Sequence, residues 1–178
     1  CHVSNYYEIN LVRSLSTVED CLFEFTTADA IDFDNSPAGT VIRRTTIRYG
    51  RGTNIDAIDF GKVDFQPPGS IGKVEQCLIH DISDKGVSVG EGAQFVEITG
   101  TLIYRTGAGV AVKDNSHALI HQNTFYDCEY AIECVEKNAG LGGGKAEAYD
   151  NIIWSPLEGP YYLNSTGSLE MRYSDIEG

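Results

Sequence analysis

The feature that most constrains this chain is a repeat. An apolar residue, two residues, a small polar residue or cysteine, one residue and a second apolar residue recur along it. The sets are Val18/Cys21/Phe23, Ile42/Thr45/Ile47, Val74/Cys77/Ile79, Ile98/Thr101/Ile103, Ile120/Asn123/Phe125, Ala148/Asn151/Ile153 and Met171/Ser174/Ile176. The middle members are mostly 22 to 24 residues apart, and the gaps widen where Gly- and Pro-rich inserts fall. A fixed period of this length marks a solenoid, in which no repeat buries its apolar face alone and each is stacked on the last.

About ten residues after each middle member comes a second apolar pair with one residue between: Ile31/Phe33, Ile58/Phe60, Val87/Val89, Val110/Val112, Ile132/Cys134 and Tyr161/Leu163. Alternation with period two predicts strands whose paired residues point inward and whose intervening residue points out. Each coil then has two short strands flanking a tight bend at Cys21, Thr45, Cys77, Thr101, Asn123, Asn151 or Ser174, followed by a turn and a third strand. The fold predicted is a single-stranded right-handed parallel β-helix of about seven coils, one all-β domain over residues 1–178. A β-sandwich would supply short strands without three columns in register at one coil length. Stacking also predicts that the polar bend residues bond to one another in a ladder. Two inserts, Gly61 to Lys73 and Glu136 to Lys145, follow third strands and are expected to leave from one edge of the solenoid. The chain starts at Cys1 and stops in mid-repeat, so neighbouring domains of a longer parent chain are expected.

Charge narrows the partners. Thirteen basic and 26 acidic residues give a net charge of −13, which disfavours nucleic acid and anionic membrane and suits divalent cations. No stretch approaches the roughly 18 apolar residues of a membrane span. The five cysteines form no CxxC, so neither a zinc site nor a redox motif is signalled. Cys21 and Cys77 share a column two coils apart, too far to bridge, and are expected to be free. Cys128 and Cys134 flank one turn and are the only plausible pair, Cys134 being otherwise a small apolar core residue. Cys1 is either a lipid attachment point or an ordinary boundary residue.

The register also gives the outward columns. Between the third-strand pairs stand Asp32, Asp59, Ser88, Ala111, Glu133 and Tyr162, and two positions before the pairs stand Asp29, Asp56, Lys85, Ala108 and Tyr130. Asp29, Asp32, Asp56 and Asp59 are therefore expected together on adjacent coils, with Asp34 close by. Carboxylates roughly 5 Å apart raise each other's pKa unless something compensates. Ca²⁺, which takes six to eight oxygen ligands, is one compensation. Neutralisation by Lys85, Arg48 or Arg51, or plain solvation, is the other. A second outward column follows the bend: Glu24, Arg48, His80, Tyr104, Tyr126 and Trp154. Its three rings on consecutive coils suit the face of a sugar ring, although aromatic ladders also stabilise stacked strands. His2, His80, His117 and His121 share no column and are expected at the surface.

These residues resemble the pectate lyase superfamily. Thr27-Ala28-Asp29-Ala30-Ile31-Asp32 and Asn54-Ile55-Asp56-Ala57-Ile58-Asp59 are similar to the paired acidic turns of the family-nine pectate lyases. The resemblance implies Ca²⁺ held by Asp29, Asp32, Asp56 and Asp59, and a lysine that abstracts the proton α to a uronate carboxylate, so that the polymer is cleaved by β-elimination. Ser88 stands where those lyases offer the lysine, which leaves Lys85 and Lys113 as the catalytic candidates. Arg48, His80, Tyr104, Tyr126 and Trp154 are the candidate substrate-binding residues. The segments Asp84 to Glu91 and Ala111 to Ser116 also resemble β-helix modules of large secreted or surface bacterial proteins, which implies a secreted or cell-surface location. Three readings follow: an exported carbohydrate-active β-helix that binds, and by elimination cleaves, an acidic polysaccharide; a non-catalytic structural or adhesive module; and a hydrolase using paired carboxylates.

Overall fold

A computed structural model describes residues 1–62, 69–93 and 95–177. The Gln66-Pro67-Pro68 part of the first insert lies outside them. Among the described residues there are 22 short strands and no helix, and every strand pairing is parallel. They form three sheets that run the length of a solenoid. The first sheet has seven strands, from Thr17–Glu19 to Ser168–Arg172; the second, after the bend, has eight, from His2–Ser4 to Asp175–Ile176; the third has seven, from Ile9–Asn10 to Gly159–Leu163.

The columns stack like on like. Val18, Ile42, Val74, Ile98, Ile120, Ala148 and Met171 are successive partners in the first sheet. Phe23, Ile47, Ile79, Ile103, Phe125 and Ile153 are partners in the second. Ile31, Ile58, Val87, Val110 and Ile132 are partners in the third, beside the column of Phe33, Phe60, Val89, Val112 and Cys134. Nearly all of these side chains are fully buried, and Phe33 stacks on Phe60 with ring centroids 5.0 Å apart. Each buried aliphatic or aromatic side chain contributes about 1.5–3 kcal/mol. The third-sheet columns open at the last coil, where Tyr161 and Leu163 are exposed.

The bend is a left-handed residue followed by a ladder. Asp20, Arg44, Gln76, Gly100, Gln122, Asp150 and Tyr173 all have φ between 47° and 60°. Each precedes a bend residue whose side chain is turned into the column. The Cys77 amide donates to Thr101 Oγ1 at 3.2 Å, Thr101 N to Asn123 Oδ1 at 3.0 Å and Asn123 N to Asn151 Oδ1 at 3.0 Å. Asn123 and Asn151 also donate to the carbonyls of Ile98 and Ile120. The corner after the second sheet is again left-handed, at Phe25, Tyr49, Asp81, Arg105, Asp127 and Ser155. Left-handed non-glycine residues cost about 1–2 kcal/mol each, and they persist here because stacking on both sides fixes them.

One expectation is corrected. Cys21 is not free: it is disulfide-bonded to Cys1, with Cα atoms 4.5 Å apart. The pairing His2 to Leu22 puts Cys1 directly against Cys21 on the adjacent coil, one rung away rather than the two that separate Cys21 from Cys77. The same sulfur cannot carry a lipid thioether while it is bridged. Cys77, Cys128 and Cys134 are free and buried, and burial raises the Cys77 thiol to about 11 and Cys134 to about 12.

Thiol titration of the denatured, unreduced chain is therefore expected to find three free cysteines, rising to five after reduction. Core and surface should separate in denaturant melts. Ile103→Ala, at a fully buried site, should lose about 2–4 kcal/mol, and Glu147→Ala, on the exposed face of the first sheet, about 0.5 or less. Equal losses would show that the inward register is misassigned.

Candidate functional site

On most of the surface, stacking is used to pair opposite charges. On the first sheet Arg43 and Arg44 bond to Glu19 and Asp20, and Lys73 lies between Glu75 and Glu97, 3.2 and 3.3 Å away. Hydrogen bonds from Arg43 hold the Glu19 carboxyl, and bonds from Arg44 the Asp20 carboxyl, below their ordinary range. The outward face of the third sheet does the opposite. There Asp32 stacks on Asp59, and Asp59 on Ser88.

Asp29, Asp56 and Asp59 bring carboxylate oxygens within 4.8 Å of one another. The backbone aims two of them: the Asp56 amide donates to Asp29 Oδ1 at 2.8 Å, and the Lys85 amide to Asp56 Oδ1 at 3.2 Å. The coil-to-coil step is thus made through the side chains of the first two aspartates. Asp32, expected in the same cluster, stands at its edge and accepts from Asn10 Nδ2 at 2.9 Å. Asp32 Oδ1, Asp59 Oδ1 and Ser88 Oγ are buried and have no hydrogen-bond partner, and all three belong to one outward column. Buried oxygens without partners are costly and call for a ligand.

Electrostatics follow from the burial of like charges. Burial, with Asp34 and Asp59 adjoining, pushes Asp32 up to about 8. Burial pushes Asp56 up to about 7, with Lys85 opposing and Asp59 adding to the rise. Asp34 rises to about 6 through burial, Asp59 and Glu91, and Asp29 is raised by burial and Asp59. Three coils along the column, Glu133 is raised by burial and partly relieved by Lys85. The oxygens present, all carboxylate or hydroxyl, are the donor set of a hard divalent cation, and the orphaned Asp59 and Ser88 atoms leave ligand positions for one.

The two lysines differ. Lys85 Nζ lies 3.6 Å from Asp56 Oδ1 and also bonds the carboxylate of Asp84. Burial disfavours its charge, but Asp56 and Asp84 prevail and its pKa is raised. Lys113 is buried on the next coil, and its side chain lies over Gly90, where a Cβ would meet Lys113 Cε at 3.1 Å and Nζ at 3.6 Å. Its charge is felt by Asp29, Asp56 and Glu133. Ser88 and Ala111, although outward by register, are fully buried. Asp34 adjoins the cluster, as the register places it, and Ser88 is a further candidate ligand whose signal in the sequence is a hydroxyl next to Asp59 in the same column.

The expected substrate-binding residues lie on a different face, that of the second sheet, and only part of the column is free. Arg48 is 2.9 Å from Glu24, and Arg51 lies over the Phe25 ring, so neither neutralises the aspartates. His80, expected at the surface, is buried: its ring bonds Asp81 and stacks on Tyr104 with centroids 4.6 Å apart. Arg105 covers Tyr104 from 4.5 Å, and its bond to Asp81 lowers that carboxyl to about 2. Tyr126 and Trp154 are exposed and, among the described residues, make no ring stack; with Tyr104, Leu102, Thr124 and Ile152 they wall an open trough. Consecutive coils bring the rings into one column without laying them flat on each other.

The raised carboxylates make a signed prediction. A carboxyl whose folded pKa exceeds its unfolded value keeps a proton that the unfolded chain releases, so its stabilising effect is complete below the unfolded pKa and lost as pH rises through the folded one. In chelator, the melting temperature should therefore fall between about pH 4 and pH 8. Asp32→Asn should flatten that fall. Melts that rise or stay level across the window in the wild-type chain would show that these carboxyls titrate as ordinary ones.

No curated protein and no solved structure matches the chain. A family model described as "Right handed beta helix region" matches residues 14–176, nearly the full length of the solenoid. The chain belongs to the right-handed β-helix family.

Proposed function

We propose that this β-helix is an exported carbohydrate-active protein that binds an acidic polysaccharide along its third-sheet face and cleaves it by β-elimination, with Ca²⁺ held by Asp29, Asp56 and Asp59 and with Asp32 at the edge of the site. The observation that carries this reading is the stacking of like charges around unpartnered buried oxygens, where the first sheet sets arginines against Glu19 and Asp20. Perturbed carboxyls cluster at functional sites, where burial and like charge are arranged together. When bound, the ion supplies charge neutralisation for a uronate carboxylate, which acidifies the proton α to it.

Lys113 is the base in this reading. Its amine lies over Gly90 and its charge acts on Asp29 and Asp56 from two coils further along, whereas the Lys85 amine is engaged by Asp56 and Asp84. Lys113 takes the α-proton, the electron pair forms the new carbon–carbon double bond, and the glycosidic oxygen leaves and is protonated by water. Lys85 keeps Asp56 compensated and positioned. The Cys1–Cys21 bridge supports export, since disulfides persist in oxidising compartments. The Lys85 ion pair with Asp56 favours a second reading, a non-catalytic adhesive or structural module in which Lys85 is the permanent counter-ion.

Calcium separates the readings. An ion that binds only the native state stabilises it by about 2.7 kcal/mol at a hundredfold excess over Kd, so the melting temperature should rise with calcium. Asp59→Asn should abolish most of that rise, and Asp175→Asn, at the far end of the solenoid, should not. With a uronate polymer, calcium-dependent absorbance at about 235 nm from the unsaturated product should appear and be lost in Lys113→Ala. A calcium-dependent melt without absorbance would leave the adhesive module; no calcium effect at all would remove the cation site.

A further inference from the structure

The face that holds the aspartates does not end with them. Asp59, Ser88, Ala111, Glu133 and Tyr162 are successive partners in one outward column, and Lys85, Ala108 and Tyr130 are successive partners in the neighbouring one. Tyr162 therefore stands four coils from Asp59, roughly 19 Å at about 4.8 Å per coil, on the same side of the solenoid. Tyr130 is half-buried and Tyr162 is 45% exposed. Their ring centroids are 5.4 Å apart and the planes are tilted by 38°, an open pair rather than a flat stack. Gly159 pairs with Tyr130, and a Cβ there would touch the Tyr130 ring at 3.8 Å, so the glycine leaves that ring uncovered. Neither hydroxyl has a hydrogen-bond partner among the described residues. The buried core does not account for the pair, because Ile132 and Cys134 take the inward positions of the Tyr130 strand and Tyr162 lies between the exposed Tyr161 and Leu163.

Charge decides what such a pair can hold. Glu129, Glu133 and Glu158 all act on Tyr130. A uronate carboxylate placed over the rings meets like charge, and the uncharged face of a neutral sugar does not. We infer that Tyr130 and Tyr162 form a subsite for a neutral sugar residue of the polymer whose uronate is held at the aspartates. This rests on the proposed cation-dependent binding of an acidic polysaccharide, and it specifies the polymer: uronates interspersed with neutral sugars, lying along the solenoid axis. The Tyr126 and Trp154 trough is on another sheet and takes no part.

The test is calorimetric titration in calcium with two oligosaccharides of equal length. One is a hyaluronan fragment, in which uronate alternates with a neutral N-acetylhexosamine; the other is an oligogalacturonate. The wild-type chain should bind the alternating oligomer about tenfold more tightly, the scale of one aromatic contact. Tyr162→Ala should erase that preference while leaving the oligogalacturonate within about twofold, and Tyr162→Phe should keep it. Calcium-dependent binding that is lost in Asp59→Asn but whose preference survives Tyr162→Ala overturns the subsite and leaves the cation reading standing. Failure of the wild-type chain to bind either oligomer in calcium overturns both.

Discussion

Every distinctive property of this molecule depends on one constraint: each coil must lie on the previous one with like positions in contact. Backbone pairing sets the rise at about 4.8 Å, and the apolar columns admit no slip, since a one-residue shift would turn every core side chain outward. Ile42, Val74 and Ile98 are 32 and 24 residues apart in sequence and adjacent in space. The same rule acts on the outside without regard to whether contact is favourable there. Asp32 and Asp59 are brought together by Ile31, Phe33, Ile58 and Phe60, which flank them and are fully buried. The core therefore supplies the energy that holds like charges in contact.

Much of this was legible because it needs only period and alternation. The three inward columns, the bend ladder and the outward order Asp32, Asp59, Ser88, Ala111, Glu133 and Tyr162 stand as the repeat places them. What escaped depends on side-chain conformation or on a single neighbour. Phe25, Tyr49, Arg44 and Arg105 occupy left-handed corners that carry no glycine, so nothing in their identity announces the turn. His80 reads as an outward residue and is buried because Asp81, Tyr104 and Tyr49 close around it. Ser88 and Ala111 read as exposed and are fully buried, and nearby the Lys113 side chain lies back over the bare backbone of Gly90. The Cys1–Cys21 bridge was missed although the column rule contains it, since the strand of His2–Ser4 continues the second sheet one coil further than the repeat alone marks.

The register also separates two surfaces that residue types alone would join. Aromatic rings and carboxylates both read as parts of a sugar site, yet Tyr126 and Trp154 project from the second sheet and Asp29, Asp56 and Asp59 from the third. Each coil makes one turn at the bend and another after the second strand, so residues a few positions apart in sequence face different directions. The aromatic residues on the acidic face are instead Tyr130 and Tyr162, several coils away along the chain and in line with the aspartates.

The contrast between the first and third sheets shows that stacked like charge is not an unavoidable result of the fold. Both sheets impose the same spacing, and at its start the first sets arginines against acids, so that Glu19 and Asp20 are held in their ionised form. On the third sheet four aspartates lie on two adjacent coils, and burial drives Asp29, Asp32 and Asp56 toward the protonated form instead. An arginine at position 59 or 32 would have removed the strain at no expense to the core, since both positions point outward. Local conflict of this kind, in a scaffold that pairs opposite charges at Glu19, Asp20 and Lys73, is what the proposed binding site accounts for. A rigid solenoid is well suited to hold it, because buried columns on either side fix the carboxylates so that they cannot relax away from one another.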